Sequence, residues 1–310
     1  MRLSRDGWGK AVFYIRAADL LIRVDNLYPY LESACADYIV QPDREPDAVI
    51  RSDPEMVKES LDWHRKNMNM AVEPGFAEYS RIHQELYPQI VRFGAFWMHA
   101  AVIGMDGNAY GFTAPVGGGK STHVGLWKQV YGDRVRVING DNPVIRRKDG
   151  VFCAFGTPFG GSPGDQTNTG LPLKGICFLR RGEHNSIIPM DPEEARNRIL
   201  KDLIAYQAVR IGTFRRFLRL TDEFAAEVPA YTLVCNMDPE AAVIAYREMG
   251  GTKLREDGSA VSSVPGSPAG KGEVPGTAGL FVFLLRSRFY RFRLEVLRRT
   301  MRVIRSFAGR

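Results

Sequence analysis

The chain has 310 residues, is 45% hydrophobic and carries a formal net charge of +7, so it can bury a substantial core in one or two domains. Its four cysteines lie far apart without a C-x-x-C pair, which argues against a disulfide framework or a zinc site and favours a reducing compartment. The sequence has no run of about 20 apolar residues and no signal-peptide pattern, so we expect a cytoplasmic protein without a spanning helix.

The sequence pattern of residues 1–95 indicates an N-terminal α/β region. Two strand-like runs, AVFYIR and LLIRVD, come first, and the stretch YPYLESACADYIV after them is predicted to be helical. Two further stretches have apolar residues that recur at three and four positions, which is the helical period. They are VKESLDWHRKNMNM and PGFAEYSRIHQELYPQIVRFG.

Residues 96–250 predict an α/β domain with a mixed sheet. Apolar runs that end in turn residues alternate here, and the Asp-Gly pairs in MDGN and KDGV predict two hairpins. The predicted strands are HAAVI, AYGF, VRVI, VIRR, VFCAF, LKGICFLRRG and YTLVCN. Three helices are predicted, STHVGLWKQV, DPEEARNRILKDLIAYQ and the final DPEAAVIAYREM.

The composition changes after residue 250. Residues 251–279 are rich in glycine, serine and proline, which predicts a flexible linker. Residues 280–310 predict a basic amphipathic helix, with apolar side chains along one stripe and arginines opposite. Nine arginines and one glutamate in this tail contribute +8, which leaves −1 for the rest of the chain. The basic charge is therefore a property of the tail.

The stretch APVGGGKST carries the strongest functional signal, because it lies between a predicted strand and a predicted helix. Glycines let several backbone N–H groups point into one concavity, and the start of the helix adds partial positive charge. In such a phosphate-binding loop the lysine reaches the β- and γ-phosphates and the next hydroxyl ligates Mg²⁺. The predicted ATP-binding residues are Gly117, Gly118, Gly119, Lys120, Ser121 and Thr122.

The loop departs from the full pattern at one position. The pattern has a glycine six residues before the lysine, and this chain has Ala114 there. A plain glycine-rich turn with an exposed lysine is the alternative interpretation. We favour nucleotide binding because strand, loop and helix follow in the required order.

Asp141 is the predicted acidic partner of the loop. It follows the apolar run VRVI within Asn139-Gly140-Asp141, where it is suited to bind Mg²⁺ together with Ser121 or to act as a base toward a hydroxyl. The same residues are also good turn formers, so an Asx-turn is the alternative. The neighbouring phosphate loop favours the functional interpretation.

His99 is a candidate catalytic residue. It opens the predicted strand HAAVI, and the hairpin at MDGN would bring it near the nucleotide end of the sheet. A histidine in such a position is more often a core residue, so the hairpin is what makes it a candidate. His64, His83 and His184 are predicted to be structural or surface residues.

The chain resembles the HPr-kinase-like proteins over about residues 10 to 250. The matching stretches are HAAVIGMDGNAYGFTAPVGGGKSTHVGLW, VINGDNPVI, FGTPFGGSPGDQTNTGLPLKGICFLRRG and CNMDPEAAVIAYREM. The resemblance implies a mixed-sheet, phosphoenolpyruvate carboxykinase-like P-loop core that transfers the γ-phosphoryl group of ATP to a hydroxyl. Carried over by position, His99 matches the strand histidine of the family, and Asp141 matches the second aspartate of a pair, the base that interacts with that histidine.

Two departures from the family pattern bear on the substrate. Gly140 stands where the family has the first aspartate of the pair, and FGTPFGG replaces a later acid-and-arginine motif. We therefore do not expect HPr itself to be the acceptor. Lys174 is the nearest basic candidate for contacting the transferred phosphate, with a solvent-exposed lysine as an equal alternative. Asn168 and Thr169 are candidates for the acceptor pocket.

The sequence thus predicts an ATP- and Mg²⁺-dependent kinase for a hydroxyl of a peptide, protein or small molecule. Asp141, His99 and Lys120 are the predicted catalytic residues, and Ser121 and Asp141 the predicted metal ligands. A carboxykinase-type enzyme is one alternative. Another is a catalytically weak ATP-binding sensor or partner module, which the replacement of an aspartate by Gly140 favours.

The tail predicts a separate interaction. A basic amphipathic helix on a tether is typical of segments that bind anionic membrane surfaces, which would make the protein a peripheral membrane protein. An acidic partner, nucleic acid bound without sequence specificity, or packing of the helix on the body are the alternatives. The ring assembly of HPr kinases implies a homo-oligomer by resemblance.

Overall fold

The computed structural model describes residues 11–115, 117–161, 164–207 and 211–250. The predicted linker at 251–279 and the predicted tail helix at 280–310 lie outside the described residues.

The strands are β1 Ala11–Ala17, β2 Leu20–Asn26, β3 Ala48–Arg51, β4 Ala95–Trp97, β5 Ala101–Met105, β6 Asn108–Thr113, β7 Arg136–Asn139, β8 Val144–Lys148, β9 Val151–Phe155, β10 Gly170–Arg181, β11 Ser186–Pro189 and β12 Ala230–Cys235. The helices are α1 Pro29–Ala34, α2 Pro54–Trp63, α3 Pro74–Ile90, α4 Lys120–Tyr131, α5 Pro192–Gln207, α6 Ile211–Glu227 and α7 Glu240–Gly250.

A nine-stranded mixed sheet forms the centre of the molecule, which confirms the predicted mixed α/β class. Its main path runs β4-β8-β9-β10-β6-β5-β7, with β12 beside β10 and β11 beside β12. The long strand β10 is antiparallel to β9 over its first residues and parallel to β6 and β12 farther along. One strand therefore joins the antiparallel part of the sheet to the parallel part, and the sheet curls around it.

Both predicted Asp-Gly hairpins are present. Asp106 and Gly107 connect β5 to β6 with φ of 50° and 76°, and Asp149 and Gly150 connect β8 to β9 with φ of 48° and 83°. Two successive residues of positive φ form the turn whose twist matches that of the flanking strands, and Asp-Gly is a preferred pair for it. Local turn chemistry alone is sufficient to explain these two connections.

Helices cover both faces of the parallel part of the sheet. Helices α4 and α7 pack on one face, and we call the cluster beneath them the loop-side core. Its buried members on β10 are Cys177 and Leu179. Helices α5 and α6 pack on the opposite face, over the far-side core, to which β10 contributes Ile176 and Phe178. The alternation of these four residues follows from the period of two along a strand.

The N-terminal region has its own three-stranded sheet, in which β2 pairs with β1 and β3. Its buried face shares a core with β4, β8 and β9. The predicted helix YPYLESACADYIV is only partly right, since α1 ends at Ala34 and a single 3₁₀ turn at Ala36–Tyr38 follows. Beyond this turn the chain becomes extended because Val40 donates its N–H to the carbonyl of Tyr14 on β1. Tertiary pairing overrides the local helical pattern there.

The sequence analysis missed α6 and the strands β3, β4 and β11. The buried residues Phe217, Leu220 and Phe224 on α6 are spaced three and four apart, so a helical signal was present in that segment. Strand β4 has only three residues, and all of them are buried. No helix in the described ranges is long and apolar enough to cross a membrane.

Candidate active site

The three glycines form the turn between β6 and α4. Gly119 is the residue before the first helical turn and has φ of 100°, a conformation that side chains disfavour. A Cβ on Gly118 would lie 2.7 Å from the carbonyl oxygen of Pro115, which is closer than real Cβ contacts come. Gly117 also has a positive φ, of 74°. The loop therefore requires glycine for reasons of backbone shape and space.

Ala114 is compatible with this loop although the full pattern has glycine there. Its φ is not positive, so the backbone does not demand a glycine. Its buried methyl group would lie 2.7 Å from a Cβ on Gly118, which means that the glycine at 118 makes room for the alanine at 114. The departure noted in the sequence is accommodated by this contact.

The structure brings together the three predicted catalytic residues, which we call the Lys–His–Asp cluster. Nζ of Lys120 lies 2.8 Å from Nε2 of His99 and 3.6 Å from Oδ1 of Asp141. Nε2 of His99 lies 3.3 Å from the same carboxylate oxygen. The exposed fractions of the side chains are 8% for Lys120, 10% for His99 and 14% for Asp141, so these charges meet in a region largely shielded from water.

Backbone contacts hold the ends of three strands together under this cluster. His99 precedes β5 rather than opening it, since the strand begins at Ala101. The carbonyl of His99 accepts a hydrogen bond from Thr113 Oγ1 at the end of β6, at 3.0 Å. Ala100 donates its N–H to the carbonyl of Asp141, which follows β7, at 3.1 Å. The ends of β5, β6 and β7 thereby fix the positions of the three side chains.

The proton position on His99 follows from its two neighbours. An ammonium group only donates hydrogen bonds, so Nε2 of His99 must accept from the ionised Lys120. That nitrogen then carries no proton to donate toward Asp141, and the shorter distance, 2.8 Å against 3.3 Å, is the one to Lys120. With Lys120 ionised, this arrangement corresponds to the neutral His99 tautomer that has its proton on Nδ1.

An Asx-turn positions Asp141, so the two interpretations of this segment are compatible. Oδ1 of Asn139 accepts from the N–H groups of Asp141 and Asn142, at 2.9 and 2.7 Å. Nδ2 of Asn139, which is fully buried, donates to the carbonyl and hydroxyl oxygens of Thr157. The turn built by Asn139 holds the carboxylate of Asp141 toward Lys120.

The predicted metal ligands have the donor chemistry for a nucleotide-bound Mg²⁺. Ser121 and Thr122 are exposed in the first turn of α4, directly after Lys120. Mg²⁺ in nucleotide sites takes one or two protein oxygens and fills its other positions with phosphates and water. Over the described residues no group of three or more His, Cys, Asp and Glu side chains is arranged to hold a metal. The hydroxyl of Ser121 and the carboxylate of Asp141 are oxygen donors of the kind that Mg²⁺ binds, and their role as metal ligands stays a prediction.

Asp165 occupies the space beside Gly140, and the sequence analysis missed it. A Cβ on Gly140 would lie 3.0 Å from Cβ and 3.4 Å from Oδ2 of Asp165. The N–H of Gly140 donates to the carbonyl of Asp165 at 2.8 Å, and Asn139 bridges to Gln166 beside it. A carboxylate from another part of the chain therefore lies next to Gly140.

Lys174 lies at the wrong end of β10 for a phosphate contact. It neighbours Leu173, which pairs with Ala109 at the start of β6, whereas Phe178 pairs with Thr113 at the end that leads into the loop. Four strand residues separate Lys174 from that level, or about 13 Å. The exposed-lysine alternative is the one that the register favours.

Asn168 and Thr169 make hydrogen bonds to backbone groups. Nδ2 of Asn168 donates to the carbonyl of Asp37 in the N-terminal region at 3.1 Å. The carbonyl of Thr169 accepts from Gly156. Both residues therefore connect the loop after β9 to its surroundings, and a role in an acceptor pocket stays a prediction.

The other described histidines are structural or exposed. Nε2 of His123 accepts from the indole N–H of Trp127 at 3.0 Å, and burial lowers the pKa of His123 to about 4. Burial also lowers the pKa of His83, which stacks on Phe159, to about 3. The pKa of His64 is lowered by burial as well, and His184 is exposed. The buried histidines are neutral at pH 7.

No protein-family model matches the chain, and no curated protein sequence is significantly similar to it. The likeness to the HPr-kinase-like proteins therefore depends on the quoted motifs. The geometry of the loop and the Lys–His–Asp cluster is an independent observation, and any function has to be argued from it.

Proposed function

We propose that the chain is an HPr-kinase-like phosphotransferase with a phosphoenolpyruvate carboxykinase-like P-loop core, which transfers the γ-phosphoryl group of ATP to a hydroxyl of a peptide, protein or small molecule. One observation carries the proposal. Lys120 follows a loop that only glycines can form, and its Nζ lies 2.8 Å from His99 and 3.6 Å from Asp141. A shielded cation, a base and a carboxylate at the mouth of such a loop are the groups that phosphoryl transfer needs.

Phosphate binding depends on the loop and on Lys120. Backbone N–H groups of the loop and the start of α4 supply partial positive charge, and Lys120 adds a full charge in a region of low water content. Coulombic attraction is stronger there than at an exposed surface. This combination favours a triphosphate over a neutral ligand.

The transfer itself requires a proton acceptor for the attacking hydroxyl. The hydroxyl oxygen forms a bond to the γ-phosphorus while the bond from that phosphorus to the oxygen of the β-phosphate breaks, and ADP leaves. The proton of the hydroxyl goes to the carboxylate of Asp141. Ser121 and one carboxylate oxygen of Asp141 would hold Mg²⁺, which would neutralise charge on the phosphates, and the other oxygen of Asp141 would remain for the proton.

Nucleotide binding would change the partner of His99. In the nucleotide-free arrangement Nε2 of His99 accepts from Lys120. A triphosphate draws Lys120 toward itself, which frees Nε2 to face the carboxylate of Asp141 at 3.3 Å and to share the proton that Asp141 receives. The base pair thus becomes available only when ATP is in place.

A second candidate function is an ATP-binding sensor that does not turn over. The observation that favours it is Gly140, which removes one carboxylate from the position where the family has a pair. Asp165 beside it restores a carboxylate in the neighbourhood. We rank the phosphotransferase first because Asp141, the base, is present and next to Lys120. We also propose that the protein acts in the cytoplasm, where ATP is abundant.

Release of ADP from ATP, with water as the simplest hydroxyl acceptor, tests the proposal. We expect slow Mg²⁺-dependent turnover, which Asp141→Asn lowers about 100-fold while ATP binding persists. If Asp141→Asn leaves the rate of ADP release unchanged, Asp141 is not the base. ATP binding without any ADP release favours the sensor, and formation of phosphoenolpyruvate from added oxaloacetate favours the carboxykinase alternative.

A further inference from the structure

Arg181 contacts the glycine loop directly. Its Nη2 donates to the carbonyl oxygen of Gly117 at 2.7 Å, although the two residues are 64 positions apart in the chain. Arg181 is the last residue of β10 and is exposed, so its guanidinium lies at the surface beside the first of the three glycines. The sequence analysis considered Lys174 on this strand and overlooked Arg181.

The register of β10 explains why Arg181 reaches the loop. Strands β6 and β10 are parallel, with Phe178 paired to Thr113, the last residue of β6. The carboxyl ends of both strands therefore lie at the same edge of the sheet. Arg181 is three residues beyond Phe178, and the glycines lie just beyond Thr113. Both segments leave the sheet at the same edge.

Side-chain alternation puts Arg181 on the same face as α4. Cys177 and Leu179 belong to the loop-side core under α4 and α7, and Arg181 continues that alternate series. Ile176 and Phe178 belong to the far-side core, and Arg180 continues theirs. Two adjacent, exposed arginines thus point to opposite faces of the sheet, and only one of them faces the loop.

We infer that Arg181 binds a phosphate group of the nucleotide that occupies the glycine loop; this rests on the proposed function. Guanidinium presents five N–H donors in a planar fork that matches phosphate oxygens, and one of these donors is already fixed on Gly117. Together with Lys120 and the start of α4, Arg181 makes the loop a site for a highly charged anion. The ligand class is a nucleoside triphosphate held by its phosphates.

The matched pair Arg181→Ala and Arg180→Ala tests this assignment. Both variants remove one exposed arginine from the end of β10, so they change the net charge equally. We expect Arg181→Ala to weaken the binding of ATP, and of tripolyphosphate as a competitor that lacks the nucleoside, by about 10-fold or more, the usual effect of a hydrogen bond to a charged group. Arg180→Ala should stay within about 2-fold of the wild type.

The outcomes separate this inference from the proposed function. If the wild type binds no ATP, the proposed function fails. If the wild type binds ATP and the two alanine variants bind it equally well, only the assignment of Arg181 is wrong. An effect on ATP without an effect on tripolyphosphate also overturns it, because the contact would then be to the nucleoside. A lower melting temperature of nucleotide-free Arg181→Ala than of Arg180→Ala would indicate a structural role instead.

Discussion

Nζ of Lys120 lies 2.8 Å from Nε2 of His99, and the β5–β6 hairpin is what joins these two residues across 21 positions of the chain. The hairpin brings the residue before β5 beside the residue after β6, and the glycine loop then turns α4 back over the sheet. A hairpin with a two-residue turn thus places the amino group of Lys120 within hydrogen-bonding distance of the ring of His99. The shared neighbour of both is Asp141.

His99 is expected to act on the chemical step and not on ATP affinity. Its Nε2 faces Asp141 at 3.3 Å, and Lys120 is the residue that would contact the phosphates. We predict that His99→Ala lowers kcat for ADP release by about 100-fold, within the usual range for acid–base catalysis, and changes the Kd for ATP by less than about 3-fold. His184→Ala, at an exposed position, is the control and should change neither. A loss of ATP affinity equal to the loss of kcat would contradict this role.

Gly140→Asp is expected to destabilise the protein. The new Cβ would lie 3.0 Å from Cβ of Asp165, and the new carboxylate would repel the existing one. We predict a loss of about 1–3 kcal/mol in the free energy of unfolding, measured by urea denaturation. In an Asp165→Ala background the carboxylate repulsion is absent and the crowding is smaller. Gly140→Asp should then lower the free energy of unfolding by about half as much or less. Equal costs in the two backgrounds would show that Asp165 is not the neighbour that matters.

Asn139→Ala is expected to loosen the turn that carries Asp141. The substitution removes the acceptor of two N–H groups, those of Asp141 and Asn142, and two hydrogen bonds to Thr157. We predict a loss of about 2–4 kcal/mol in the free energy of unfolding, since buried polar groups lose their partners. Asn142→Ala removes the hydrogen bond from Nδ2 of Asn142 to Oδ2 of Asp141 and should cost about 1 kcal/mol or less. The reverse order of the two losses would mean that the turn is held by other contacts.

Acidification is expected to destabilise the nucleotide-free protein through its buried histidines. Burial lowers the pKa of His123 to about 4 and that of His83 to about 3, from the ordinary histidine value of 6.5. Below pH 6.5 the unfolded chain takes up protons on these side chains and the folded protein does not, so the free energy of unfolding falls as the pH falls toward 4.

His123→Gln isolates one part of this pH dependence. Glutamine cannot titrate, and its carbonyl oxygen is able to accept the hydrogen bond from Trp127 in place of Nε2. Melting temperatures of the variant should therefore vary less between pH 6.5 and pH 4 than those of the wild type. A variant that is as sensitive to pH as the wild type would assign the effect to other groups.

The parts of the fold that sequence analysis predicts well are those determined by neighbours in the chain. Asp106-Gly107 predicts a turn because both residues tolerate positive φ, and the glycine loop is recognisable because no other residue fits at 118 and 119. Helix α6 also has a periodic apolar pattern, with Phe217, Leu220 and Phe224 three and four residues apart. The end of α1 was not predictable from local sequence. The chain beyond it becomes extended because Val40 donates its N–H to the carbonyl of Tyr14 on β1.

The site needed strand order and register, which the sequence does not display. In the sheet, β5 lies between β6, which leads into the loop and Lys120, and β7, which leads to Asp141. This strand order puts both residues at the same edge of the sheet. Lys174 and Arg181 are on one strand, and only the pairing of β10 with β6 tells which of them is at the loop. The segment with Asp165 and Gln166 runs back beside the end of β7, where Gln166 bridges to Asn139, and this brings Asp165 next to Gly140. No local sequence pattern indicates this contact. Residue types were therefore predictable, and their distances were not.

Calorimetric titration of the full chain with ATP and Mg²⁺ tests the central claim most directly, with Lys120→Ala and Lys128→Ala as a matched pair on α4. Lys128 is exposed in the last turn of the same helix, so its loss removes an equal charge away from the loop. We predict that the wild type and Lys128→Ala bind ATP with the same affinity and that Lys120→Ala loses at least about 10-fold. No heat of binding from the wild type, or equal affinities in all three proteins, would contradict the account.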